Sequence, residues 1–76
     1  MDKDSVLIKV QKILKDSFVV NAESSDTCDA LYIDSLDTIE LMAECEKEFS
    51  VNLNDEFLGG ESTIENLVDL IIDKSK

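Results

Sequence analysis

The sequence contains no histidine, arginine, tryptophan or proline. Without histidine it lacks the usual general base near neutral pH, and with it any Ser–His or Cys–His nucleophile pair. An enzyme acting on its own is therefore not expected, and no residue is assigned a catalytic role. Glycine occurs only as the pair Gly59-Gly60, and repeats and low-complexity stretches are absent. The two cysteines, Cys28 and Cys45, form neither a C-x-x-C pair nor a zinc-ligand grouping, so no metal site is expected. Their spacing leaves a disulfide open. The expected state is two free thiols in a reducing cytosol, with Cys45 buried as a small apolar residue. No apolar run is long enough to span a bilayer, and Met1-Asp2-Lys3-Asp4 does not begin a signal peptide. These absences predict a soluble, cytoplasmic protein.

What is present is acid. Eighteen Asp and Glu against seven lysines give a net charge of −11 over 76 residues, with a hydrophobic fraction of 43% that is ordinary for a folded domain. The length predicts one domain over residues 1–76 with a modest core. From Asp16 to Asp73 sixteen acids face a single base, Lys47. Such a surface repels nucleic acid and anionic lipid and attracts basic patches on other proteins. It also opposes self-association, and a monomer is expected. The acid-rich loops do not supply the residue order of a calcium-binding EF-hand.

Apolar spacing points to helices throughout. Val6, Val10, Ile13, Leu14 and Phe18 share one arc of a first helix over about 4–16, while Lys9, Lys12 and Lys15 line another side. Residues 21–33 show no period and predict a long surface loop, pinned by Leu31 and by Tyr32 and Ile33. Asp34 caps a second helix over 35–49, with Asp37 at the second position of a capping box. A short helix is expected over about 55–58, stopped by the glycine pair. Ser62 and Glu65 predict a capping box opening a last helix through Ile64, Leu67, Val68, Ile71 and Ile72 to about Lys74. The expected fold is all-α: a small four-helix bundle, three main helices and one short one, with a long loop after the first.

The second helix has two apolar sides at about 100° per residue. Leu41, Met42, Cys45 and Phe49 form the side assigned to the core. Leu36, Ile39 and Ala43 form a narrower stripe, bordered by Asp37, Glu40, Glu44 and Glu48 on one edge and Glu46 on the other. This second stripe either packs on the loop or another helix, or is a docking surface in which apolar anchors supply affinity and carboxylates set orientation. Ser35 lies in the first turn, at the head of these acids. It is either a capping serine or a serine placed to carry a phosphodiester where free N–H groups and the helix dipole favour an anion.

The run Asp34-Ser35-Leu36-Asp37-Thr38-Ile39-Glu40-Leu41 resembles the signature of acyl carrier proteins. The resemblance continues through Glu46-Lys47-Glu48-Phe49 and the closing Ser62-Thr63-Ile64 helix. It implies a non-catalytic carrier of acyl intermediates as thioesters on a 4′-phosphopantetheine arm attached to Ser35, in fatty acid or polyketide-type biosynthesis. It implies that Asp34 helps a phosphopantetheinyl transferase place its metal and cofactor. Leu36, Asp37, Ile39, Glu40, Ala43, Glu44 and Glu46 would then meet basic patches on the transferase and on acyl-loading, elongating and transferring enzymes. Cargo could fold back among Leu41, Met42, Cys45 and Leu67. The chain also departs from the family's pattern. Ala30-Leu31-Tyr32-Ile33 stands where Asp-Leu-Gly commonly precedes the signature, putting a tyrosine at the glycine. The customary aromatic anchor near Thr27 and Cys28 is missing, and Asn54 replaces a frequent proline. A specialised carrier of aminoacyl or D-alanyl cargo is the alternative, and an unmodified acidic interaction module a further one.

Overall fold

A computed structural model describes residues 2–53, 56–57 and 59–76. Three helices, α1 (Lys3–Phe18), α2 (Ser35–Phe49) and α3 (Ile64–Lys74), enclose one apolar core. Of the short helix expected at 55–58, residues 55 and 58 lie outside the described residues, and Glu56 and Phe57 are not helical.

Each helix begins on a side-chain cap. Asp2 accepts the Ser5 N–H at 3.2 Å, so α1 starts one residue before its expected span, and it ends two residues beyond it. Val6, Val10 and Leu14 stack at four-residue spacing on its buried face, with Ile13 and Phe18 half-buried beside them. Burying each such side chain contributes about 1.5–3 kcal/mol, which is where a helix this short gets its stability. On α2 the buried residues are Thr38, Leu41, Met42, Cys45 and Phe49, the assigned core side with Thr38 added.

The capping box of α3 is Thr63 with Asn66, in place of Ser62 with Glu65. Thr63 Oγ1 accepts the Asn66 N–H at 3.1 Å and Asn66 Oδ1 accepts the Thr63 N–H at 2.9 Å. Tertiary pairing decides this: Thr63 is held extended opposite Thr27, while Ser62 is committed to a turn from Gly59 and accepts the Cys28 N–H.

The loop between α1 and α2 is hydrogen-bonded along its length. Ile64 and Glu65 donate to the carbonyls of Asp26 and Ser24, Cys28 to Ser62 and Asp29 to Gly60, stitching the loop to the entry of α3. Gln11 Nε2 donates to the Ala22 carbonyl at 2.8 Å. The buried anchors are Ala22, Cys28 and Ile33, with Leu31 half-buried; Cys28 is wholly enclosed in the core.

Tyr32 does not pin the loop. It is 92% exposed, and its φ of 59° places it in the left-handed region. The turn explains the backbone: Tyr32 donates to Asp29 and Ile33 to Cys28, reversing the chain just ahead of Asp34. Left-handed geometry costs a side-chain-bearing residue about 1–2 kcal/mol, and a glycine there costs about 0.4–1 kcal/mol through the unfolded chain. Tyr32→Gly is therefore expected to stabilise the fold by about 0.5–1 kcal/mol in urea unfolding. A destabilised variant would show that the ring contributes to packing after all.

Candidate functional site

Ser35 is the first residue of α2 and is exposed. The backbone that carries it is tied down on both sides. Asp34 Oδ1 accepts the Asp37 N–H at 2.8 Å, the Asp34 half of the expected capping box. The Asp34 carbonyl accepts both the Thr38 N–H at 2.8 Å and the Thr38 hydroxyl at 2.9 Å. Thr38 is only 4% exposed, because the chain passes over it at Gly59. A Cβ on Gly59 would lie 2.7 Å from Thr38 Oγ1, and Gly59 sits at φ 72°. Only glycine permits both the approach and the turn.

The serine is thus presented as an exposed residue on a fixed helix end. The first N–H groups of a helix have no intrahelical acceptor, and with the helix dipole they favour a negatively charged substituent. The chain has no histidine to activate the hydroxyl, so Ser35 is better suited to accept a group from another enzyme than to act as a nucleophilic catalyst by itself. Among the described residues no group of three or more acids and cysteines is arranged to hold a metal ion.

The thiols are equally unsuited to chemistry at the surface. Both are free and buried. Burial pushes the Cys45 thiol up to about 12, helped by the carboxylates of Glu44, Glu46 and Glu48. Burial, with Asp29 beside it, also raises Cys28. A thiol kept protonated is a poor nucleophile and a poor carrier of exchangeable cargo. Leu41, Met42, Cys45 and Leu67, named as surroundings for folded-back cargo, lie together in the buried core.

The second apolar stripe of α2 stands largely in solvent. Leu36 is 70% and Ile39 58% exposed, and Ala43 and Glu40 are exposed with them. The acids divide into two kinds. Glu44 accepts the Ser17 hydroxyl at 2.7 Å and Glu46 accepts the Leu53 N–H at 2.9 Å, so these two half-buried carboxylates also brace α1 and the turn after α2. Glu40 and the half-buried Asp37 make no such tie through their carboxylates in the bonds described for α2. Sequence reasoning missed Thr38 and Gly59. A threonine on the core arc of α2 is the available signal for the first; in the sequence the glycine pair signals only a helix stop.

Residues 8–71 match the family model for a phosphopantetheine attachment site. This stretch takes in all of α2 and most of α1 and α3. The chain belongs to that family. Among curated proteins it is similar to the acyl carrier protein of Petrotoga mobilis, 37% identical over 79 residues that cover 97% of this chain and 92% of the relative. It is 36% identical to that of Rubrobacter xylanophilus, with 96% and 95% covered, and 36% identical to that of Chlorobium phaeobacteroides, with 97% and 100% covered. No solved structure matches the chain. Members of the acyl carrier protein family are non-catalytic carriers, in keeping with a site that offers a hydroxyl and no base. A covalent phosphopantetheine suits the geometry: it needs an exposed acceptor hydroxyl and a setting that tolerates a phosphodiester, and the head of α2 has both. No helix among the described residues is long and apolar enough to cross a membrane.

Proposed function

We propose that Ser35 bears the 4′-phosphopantetheine arm and that the chain, residues 1–76 as one unit, works in the cytoplasm as a carrier passed among biosynthetic enzymes. The observation supporting this most directly is the exposed hydroxyl on the first residue of α2, inside the matched attachment-site region. When bound, the arm supplies the thiol on which acyl groups travel as thioesters. The chain's own residues present and orient. Asp34 fixes the helix start and, being exposed, also faces the transferase that installs the arm. Leu36, Ile39 and Ala43 offer apolar anchors, and Asp37, Glu40, Glu44 and Glu46 set their polarity against basic partner faces.

The test is intact mass. Incubated with a phosphopantetheinyl transferase and coenzyme A, the protein is expected to gain one phosphopantetheinyl mass, and Ser35→Ala to gain none. A gain that survives in Ser35→Ala moves the site elsewhere, and no gain with a transferase competent on other carriers ends the proposal. Cargo on protein isolated from its native cell then separates acyl from aminoacyl or D-alanyl loading.

A further inference from the structure

Three of the large apolar side chains that stand exposed, Tyr32, Leu36 and Ile39, lie within eight residues that bracket Ser35. Leu36 and Ile39 belong to the helix face already described. Tyr32 is different. Two other side-chain-bearing residues adopt left-handed backbone, Val19 and Ser50, and both terminate helices. Tyr32 is at no helix end, its ring is almost wholly in solvent, and a glycine would make the same turn more cheaply. An exposed ring on a strained backbone is a position where a role in binding is to be sought.

We propose that Tyr32 is a docking residue, its ring receiving an arginine or lysine set in an apolar surround on the enzyme that modifies Ser35. This rests on the attachment reading of Ser35. Three peptide units keep the two Cα atoms within about 11 Å, so Tyr32 is within the span of an interface of ordinary size centred on Ser35. The local charge is of one sign: Asp29, Asp34, Asp37 and Glu40 surround the patch in sequence, and no lysine occurs between Lys15 and Lys47. A cation is drawn to such a field and to the face of an aromatic ring. The turn from Cys28 to Ile33 is held by backbone bonds, and a tyrosine carries few rotors, so docking on it costs little ordering.

The measurement is the kinetics of modification by a transferase that acts on the wild-type chain, with coenzyme A saturating, for wild type, Tyr32→Gly and Tyr32→Phe. Tyr32→Gly is expected to raise KM for the carrier about tenfold with kcat within about twofold, and Tyr32→Phe to leave both near wild type, since the ring face does the binding. Thermal unfolding of Tyr32→Gly at or above the wild-type midpoint separates lost docking from lost folding. An unchanged or lower KM in Tyr32→Gly overturns the inference while leaving Ser35 modified. A KM raised equally in Tyr32→Phe, or a fall in kcat alone, overturns it too. A wild type that no transferase modifies removes the attachment reading and this inference together.

Discussion

Gly59→Ala is expected to lower the free energy of unfolding by about 2–4 kcal/mol, against about 1–2 kcal/mol for Gly60→Ala next to it. Both glycines have positive φ, so both substitutions incur the left-handed penalty. Only Gly59 incurs a second cost. Its added Cβ would meet Thr38 Oγ1 at 2.7 Å and Thr38 Cγ2 at 3.3 Å, whereas nothing lies within 4 Å of a Cβ on Gly60. Thr38 cannot rotate away cheaply, because it is buried and its hydroxyl is bonded to the Asp34 carbonyl. Relief must therefore come from moving the 59–62 turn or the first turn of α2, and the second would disturb the residue that presents Ser35. The check is urea denaturation of both variants and of Gly59→Ala/Thr38→Ala. Removing the threonine side chain is expected to restore about 1 kcal/mol or more to the Gly59 variant, a coupling of the size found for residues in contact. Equal losses at the two glycines, or additive behaviour with Thr38→Ala, would show that the close approach is not what fixes this turn.

The second large effect is alkaline. Cys45 holds its proton more tightly folded than unfolded, up to about 12 against an ordinary value of 9.0, because burial and three neighbouring carboxylates disfavour the thiolate. Raising the folded value means that this stabilisation is complete below pH 9 and is lost as pH climbs from there toward 12. At a limiting slope of about 1.4 kcal/mol per unit, wild type is expected to lose about 2 kcal/mol through this group between pH 9 and 11. Lys3 and Lys74 act in the same direction at higher pH. Lys3 pairs with Asp69 at 3.1 Å and Lys74 with Glu56, and each hydrogen bond raises the lysine above its ordinary 10.5. Their contributions persist below 10.5 and fade above it, but both lysines are solvent-screened. Cys45→Ala isolates the thiol. It is expected to be less stable than wild type at pH 8, through the packing it removes, and to close that gap by pH 11. Parallel stability curves for the two proteins would refute the assignment.

How legible the site was differs from residue to residue. The head of α2 was readable because its determinants are local: an aspartate at the cap, a serine after it, and an uninterrupted helical run from Ser35 to Phe49. The two-sided apolar pattern was also readable, but not which reading of it held. Periodicity says that Leu36 and Ile39 point away from Leu41 and Cys45; only their exposure in the fold shows that they meet solvent. Glu44 and Glu46 looked equivalent to Glu40, yet they are bound to Ser17 and the Leu53 amide, partners 27 and 7 residues away. The box at α3 was misplaced by one residue because Ser62 and Thr63 are equally good caps in isolation.

Net acidity, the absence of an internal base, three amphipathic helices and the serine at the entry of the second follow from the chain's composition and short-range order. These depend on neighbours within about one helical turn, a distance over which side-chain chemistry is self-sufficient. Tertiary structure alone decided that Cys28 fills the core, that Gly59 presses on Thr38 behind the serine, and that Tyr32 stands in solvent on a left-handed turn. Each of those depends on hydrogen bonds and packing between segments far apart in the chain, whose pairing is set by how the whole core closes and not by any local preference.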